Sequence, residues 1–326
     1  MSRVSVLVAV YNAACYLPEC LDSLTGQTLR DIEIICVDDC STANSLDILN
    51  GYASRDNRIR VIRLAENGGQ AHARNVGLGF ASGDFVCMLD ADDHFSSDAL
   101  ECAVNVFDRH PSTGCVLFDV VMEYADRAER YQMPDFEVLT GGEALRLSLT
   151  WRIHGLYMVR ADIHRSHPYD ETCRLYSDDN TTRIHYIASG SVRRCDGIYY
   201  YRQHEMSATH SVSVRRFDYL RANESMLRQM KDMDVAQDAV AEYNDHRWLN
   251  MIDTYMFYHC HGAGLTVEER QYGLEELHRV WQTMADIMRG RSVAFKFGYR
   301  PMPSWPMFRV QEWLYFSLRG LLGRNK

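Results

Sequence analysis

The apolar run Phe85-Val86-Cys87-Met88-Leu89 breaks off into Asp90, Asp92 and Asp93. A short run of this composition reads as a buried strand. Carboxylates cannot remain in such a strand's apolar surroundings without partners. They must emerge at its carboxyl end, the edge where open α/β sheets bind ligands. Carboxylates this close repel one another unless a cation lies between them. An oxygen-rich set of this kind suits Mg2+ or Mn2+, and such ions also hold substrate phosphates. The competing reading is a solvated acidic turn, with Ser96, Ser97 and Asp98 capping a helix whose apolar face is Leu100, Val104 and Phe107. A calcium loop is excluded: its fifth and sixth positions call for Asp or Asn and then Gly, and here they are His94 and Phe95.

The same punctuation recurs upstream. Val4–Val10 reads as a strand that runs into Tyr11-Asn12, and residues 32–37 as a second that ends at Asp38-Asp39. Between them Leu17, Leu21 and Leu24 share one helical face, with Pro18 tolerated in the first turn. A helix follows the capping cluster Ser41-Thr42, residues 60–64 form a third strand, and Asn67-Gly68-Gly69 turns into a helix carrying Ala73, Val76 and Phe80. Residues 85–89 are the fourth strand and 115–122 the fifth. Strands alternating with helices predict an α/β fold, a Rossmann-like, mainly parallel sheet with helices on both faces. Residues 125–150 break the rhythm with a charged segment and a short helix after Gly141-Gly142. Residues 156–159 and 197–201 read as further short strands. Beyond about residue 211 the spacing is helical. Leu220, Leu227 and Met230 fit one helix, Trp248, Ile252, Tyr255 and His259 a second, and Leu274, Leu277, Trp281, Met284 and Met288 a third.

At 326 residues, two domains are expected. The net charge of −9 argues against nucleic acid as a partner. The ten cysteines include no Cys-x-x-Cys pair and scatter through apolar segments, as at Cys36, Cys87 and Cys115, which suits reduced, buried thiols in a cytoplasmic protein. The N-terminal apolar stretch is too short for a signal peptide, and no stretch reaches the length of a membrane-spanning helix.

Val10-Tyr11-Asn12, Asp38-Asp39 and Asp90-Ala91-Asp92-Asp93 all fall at predicted strand carboxyl ends, which adjacent parallel strands bring to one edge. Asp39 can accept from a base N–H and Tyr11 can stack on a base, while Asp90 and Asp92 face phosphates through a metal. The alternative for Asp38-Asp39 is a helix-capping turn. Between these groups, Asn67, Gly68 and Gly69 enter a helix where close backbone approach is possible. Arg74 on its first turns can complement a diphosphate. The spacing is not the G-x-G-x-x-G dinucleotide fingerprint.

VSVLVAVYN, IEIICVDDCST, ENGGQAHARNVGL and GDFVCMLDADD, in this order and spacing, resemble the family-2 glycosyltransferases of GT-A fold. The resemblance covers residues 3–107 closely and extends more weakly to about 210. It implies a GT-A catalytic domain over 1–211, with a nucleotide-sugar-binding half (1–107) and an acceptor half (108–211), followed by a helical C-terminal domain over 212–326. It implies inverting transfer from a nucleotide diphosphate sugar, commonly a UDP-sugar, with Mn2+ or Mg2+. On it, Asp39 contacts the base, Asp90 and Asp92 form the Asp-x-Asp pair that handles ribose and metal, and Tyr11 and Arg74 fall among usual nucleotide contacts, with Val10, Asn12, Asn67, Gly69 and Ala91 beside them. Ala9 replaces a frequent proline.

Inverting transfer needs a base for the acceptor hydroxyl. The family supplies an aspartate from a Glu-Asp pair at a helix start, and here Asp178-Asp179 occupies that place. Counting back from Gly190 favours Asp179, whereas Thr181-Thr182 favours Asp178; a plain N-cap is the structural alternative. The segment Tyr200–Ser207 resembles a further family stretch whose histidine, His204, is a candidate third metal ligand, better suited to Mn2+ than to Mg2+. Trp151, His154 and Tyr157 lie where a sugar would be met, or they pack. Residues 291–326 hold seven Lys or Arg against Glu312 alone, a net +6 that leaves −15 elsewhere, and are rich in aromatics. Such a tail rests on an anionic membrane surface, or packs on the catalytic domain or on a dimer partner. The expected protein is a non-processive glycosyltransferase adding one sugar to a surface-polysaccharide glycan or lipid-linked acceptor. A sugar-1-phosphate nucleotidyltransferase and a non-catalytic nucleotide-sugar-binding protein are the rivals. The first lacks its glycine-rich basic loop after strand one; Asp178-Asp179 speaks against the second.

Overall fold

The computed structural model describes residues 2–173, 176–204 and 213–324. The chain forms two compact units. The first comprises Met1–Glu171 and Ser177–Ser207, the second Thr172–Tyr176 and Ala208–Lys326.

In the first unit the order is β1 (Val4–Val10), α1 (Leu17–Thr25), β2 (Ile32–Asp38), α2 (Ser45–Ala53), β3 (Ile59–Arg63), α3 (Gln70–Leu78), β4 (Phe85–Met88), β5 (His94–Phe95) and α4 (Ala99–Arg109). Then come β6 (Cys115–Glu123), β7 (Ala128–Arg130), β8 (Leu139–Thr140), α5 (Gly141–Leu149), β9 (Tyr157–Arg160), α6 (Ala161–Ser166), α7 (Ser177–Ser189) and β10 (Ser191–Arg202). The sheet runs β3-β2-β1-β4-β9-β6-β10-β5. It is mixed. The four strands β3-β2-β1-β4 are mutually parallel, β9 lies antiparallel between β4 and β6, and β10 is parallel to β6.

Strand β1 shows why its run is apolar at all positions but Ser5. Val4, Val6, Val8 and Val10 pack with Leu17, Leu21 and Leu24 of α1, while Leu7 packs with Ile35, Val37 and Val86 against Ala73 and Leu78 of α3. Both faces are covered, and the one polar side chain of the strand, Ser5, is buried only with partners: it donates to Glu33 Oε1 at 2.6 Å and accepts from Gly83 N at 2.9 Å. A Cβ on Gly77 would approach Val37 Cγ2 to 3.3 Å, so glycine lets α3 lie close to the sheet. Two local expectations are corrected. Phe80 lies beyond α3 and is exposed, its ring under the Arg60 guanidinium at 4.6 Å. The α4 N-terminus is not capped by the side chain of Asp98; the buried Gln27 Oε1 accepts from Leu100 N at 3.1 Å instead.

The second unit is helical: α8 (Asp218–Asp232), α9 (Gln237–His261), α10 (Val267–Met288) and α11 (Trp305–Leu321). Trp248, Ile252 and Tyr255 of α9 meet Leu277, Trp281, Met284 and Met288 of α10. The tail closes this core with Phe308 and Phe316. Trp248 Nε1 donates to Tyr299 O at 2.7 Å and Trp281 Nε1 to Pro301 O at 2.9 Å, so both buried indoles keep a partner. Among the described residues no helix is long and apolar enough to cross a membrane.

Candidate active site

The register Val10↔Asp38 between β1 and β2 sets Tyr11 and Asp39 side by side at the sheet's carboxyl edge. Asp39 is buried, and its two oxygens accept from Gly68 N at 2.7 Å and Gly69 N at 2.8 Å. Asn67 Nδ2 donates to Asp39 O at 3.1 Å, and Asp39 N donates to Val10 O. Gly69 takes φ +89°, a conformation that a side chain would strain, and this turn aims the two N–H groups at one carboxylate. Asn12, itself at φ 52°, accepts from Thr42 N at 2.9 Å and Ala43 N at 3.2 Å, so it holds the loop before α2. Tyr11 projects into solvent, 52% exposed.

At the end of β4, Asp90 Oδ1 accepts from Arg74 Nη2 at 2.5 Å and from Gln70 Nε2 at 3.0 Å. Gln70 and Arg74 are one turn apart on α3, so both reach the same carboxylate. Burial opposes the Arg74 charge, but Tyr169, Asp90 and Asp178 together raise its pKa. The Arg74 guanidinium lies 5.1 Å from the Tyr169 ring centre. Asn75 in turn pins Tyr169, accepting from its N–H at 2.8 Å and donating to its carbonyl at 2.9 Å. Asp93 turns inward and is buried. It accepts from Tyr199 Oη at 2.7 Å and Arg202 N at 2.8 Å. Burial, with Asp90 and Asp92 alongside, pushes its pKa up to about 9. Asp93 is thus a structural member of the acidic cluster, and Ala91 is buried beside it.

Asp92 faces the other way. Its Oδ2 lies 2.9 Å from His204 Nε2, and the His204 ring stacks on Tyr16 at 4.8 Å. His204 Nδ1 is buried with no hydrogen-bond partner among the described residues. No three His, Cys, Asp or Glu side chains converge on a metal position among those residues. The donor set nevertheless fits a divalent ion of the kind expected. Asp92 and His204 would supply two ligands, and such ions commonly complete their shell with substrate phosphates and water. Asp90, held by Arg74 and Gln70, stands next to that pair.

Asp178 and Asp179 open α7. Asp178 is exposed and close enough to Arg74 and Tyr169 to act on both electrostatically. Burial, then the neighbouring Asp178 charge, pushes the Asp179 pKa up to about 7, and Arg183 pulls it back. A carboxylate near 7 is matched to proton abstraction at neutral pH. The three residues in the predicted sugar region separate. Trp151 is 52% exposed with the Arg183 guanidinium 5.9 Å from its ring centre, whereas His154 and Tyr157 are buried packing residues. Burial lowers the His154 pKa to about 4.

Gln70, Tyr169, Tyr199 and Tyr16 join the site only through the fold. Gln70 carried a signal, its i, i+4 spacing to Arg74; Tyr199 did not, as the first of three consecutive tyrosines. A cavity of about 530 Å³ lies elsewhere, at the amino end of β4, lined by Arg3, Phe85, Asp108 and Arg160. Its guanidinium groups are already engaged, Arg3 by Asp108 and Arg160 by Thr113 O, which leaves it without the chemistry of the carboxyl edge.

The profile of glycosyl transferase family 2 matches residues 5–181. The chain belongs to this family. EpsJ of Bacillus subtilis, an uncharacterised glycosyltransferase, is 33% identical over 220 residues, 63% of this chain and 62% of EpsJ. The family-2 chain spans between 33% and 62% of the length of the first curated relatives it matches. Staphylococcus aureus TarS 1-349, solved with UDP-GlcNAc, aligns with a TM-score of 0.73 at 20% identity, over 99% of this chain and 92% of that one. The mannosyltransferase PcManGT of Pyrobaculum calidifontis, solved with GDP-Man and Mn2+, aligns with a TM-score of 0.54 at 19% identity, over 98% and 87%. These likenesses show the fold, GT-A with a C-terminal helical region.

Proposed function

We propose that the chain transfers one sugar from a nucleotide diphosphate sugar, a UDP-sugar by preference, to a hydroxyl of a glycan or lipid-linked acceptor in surface-polysaccharide synthesis, with inversion. The observation that carries this reading is the convergence on one sheet edge of the Arg74–Asp90 pair, the Asp92–His204 pair and Asp178. Tyr11 and Asp39 are at the nucleobase end, with Val10, Asn12, Asn67, Gly69 and Ala91 shaping the loops around the nucleotide. Arg74 complements the diphosphate. Asp92 and His204, with Asp90 beside them, would hold Mn2+ or Mg2+, and the bound ion would supply neutralisation of charge on the diphosphate. Asp179 accepts the proton of the acceptor hydroxyl as its oxygen attacks the anomeric carbon, and the nucleoside diphosphate leaves with the electron pair of the broken C–O bond. Asp179 is preferred over Asp178 because its raised pKa lets it take and later release a proton near neutral pH.

The test is incubation with radiolabelled UDP-sugars and Mn2+. Release of UDP from one of them, lost on Asp92→Ala in a protein that still melts cooperatively, is the expected outcome. Tight binding without turnover would favour a non-catalytic binder. Pyrophosphate release from UTP and a sugar 1-phosphate would favour a nucleotidyltransferase.

A further inference from the structure

Helix α11 has one buried face and, opposite it, an exposed apolar one. Phe308, Glu312 and Phe316, spaced one turn apart, are buried in the core of the C-terminal unit with Gln311. Successive residues turn by about 100°. The opposite arc therefore carries Met307, Val310, Trp313, Leu314, Leu318 and Leu321, every one of them exposed, from 43% at Leu314 to 85% at Leu321. Ser317 is the polar side chain on that arc, and no charge lies on it. A surface helix of a globular domain turns polar residues outward; this one does not. Ahead of it, Phe295 and Phe297 are 62% and 53% exposed, and Phe297 meets Tyr315 of α11 edge-on at 5.8 Å.

The exposed charge of the segment that carries this stripe has one sign. Lys296, Arg300, Arg309 and Arg324 are exposed, while Glu312, the lone acid of residues 291–326, is buried on the opposite face. We propose that α11 and its flanking segment form a surface that lies on an anionic lipid bilayer. The helix axis is in the membrane plane, the apolar stripe among the acyl chains and the exposed cations at the headgroups. The helix is 17 residues long. No helix of the described residues is long and apolar enough to span a bilayer, so the proposed contact is an interfacial one. Trp313 supplies the amphipathic ring that favours the interface. A second copy of the chain fits less well. A twofold contact sets each face against itself, and that would oppose two segments of net +6 with no exposed acid on either to pair them. An anionic headgroup layer supplies the missing sign. The inference is independent of the transfer reaction proposed above.

Flotation of the full chain with vesicles tests it. Equimolar phosphatidylglycerol and phosphatidylcholine should carry the protein upward, and pure phosphatidylcholine should not. Val310→Glu and Leu314→Glu replace exposed side chains, so both variants should melt as the native protein does and remain at the bottom of the gradient. Lys296→Gln should lower partitioning about fivefold, and added salt should lower it further. A native protein that stays in the soluble fraction overturns the assignment, as does equal flotation with neutral vesicles. A dimer seen by light scattering, dissolved by Leu314→Glu and without vesicle binding, would instead show that a second copy covers the stripe.

Discussion

The two units of this chain both bury carboxylates, and they use them differently. In the N-terminal unit, Asp39 is held by the N–H groups of Gly68 and Gly69, Asp90 by Arg74 and Gln70, and Asp179 is left at a pKa of about 7. Asp39 and Asp90 sit at the carboxyl edge of parallel strands, where ligands bind in such sheets, and Asp179 opens α7. In the C-terminal unit, Glu276 is clamped by Arg221 and Arg279, and Glu312 has Gln311 as its partner. Glu276 ties α10 to α8, and Glu312 is enclosed in the helical core beside its own neighbour on α11. A buried acid is therefore not in itself a sign of chemistry. The distinction lies in whether its partners leave it facing a ligand-accessible edge.

The largest expected effect lies at Asp179. Asp179→Asn should lower turnover by about 10²–10⁴-fold, the usual contribution of a general base, with the melting temperature unchanged or raised because a buried charge is removed. In the native enzyme kcat/KM should rise with pH as Asp179 ionises and level off above about 7. Initial rates between pH 5 and 9 check this; an unchanged acidic limb in the Asn variant would exclude Asp179 as the base.

Glu312 gives the opposite pairing, a stability effect without an activity effect. Burial pushes its pKa from 4.5 up to about 8. Its folded value lies above the unfolded one, so the native state holds the extra proton between those limits, and stability falls as pH rises from about 4.5 to 8. Glu312→Gln removes that slope. It should leave stability at pH 5 nearly unchanged and raise it at pH 8.5 by a few kcal/mol. Thermal unfolding at the two pH values decides; parallel losses in both proteins would mean that Glu312 is already ionised at no cost.

The sequence made some of this legible and not the rest, for physical reasons. β1 runs from Val4 to Val10 as expected because both of its faces are covered and the apolar run has sharp ends. The β4 acids were placed at a sheet edge because carboxylates cannot stay inside a strand. The insertion of β9 between β4 and β6 was not visible, since strand order is set by non-local pairing rather than by periodicity. The Gln27 contact with the start of α4 joins groups 73 residues apart. Tyr199, which bridges Asp93 and the Asp90 N–H, looks like any strand aromatic until the strand is placed. The outer stripe of α11 was present in the sequence as aromatic and leucine content, but only the fold says which of those side chains are covered.

Tyr11 sharpens the comparison at smaller scale. Tyr11→Ala should weaken UDP binding by up to about tenfold, as loss of one aromatic stacking partner implies, while Tyr11→Phe keeps it. The ring is half exposed, so neither variant should shift the melting temperature. Calorimetric titration with UDP measures both. Equal weakening in the two variants would assign the contact to the hydroxyl rather than to the ring.

The smallest effect is expected at Glu276. Its carboxylate accepts from Arg221 at 3.1 Å and from Arg279 at 2.8 Å, but those arginine side chains are 51% and 41% exposed. Water screens an ion pair with such partners, so Glu276→Gln should cost only about 1 kcal/mol of stability, and less at high salt. Turnover per folded molecule should not change. Chemical denaturation at low and high salt reads the first effect and initial rates read the second. A loss of turnover that tracks the lost clamp would break the division between the two units, because it would mean that an acid binding helices together in one unit sets the chemistry performed at the sheet edge of the other.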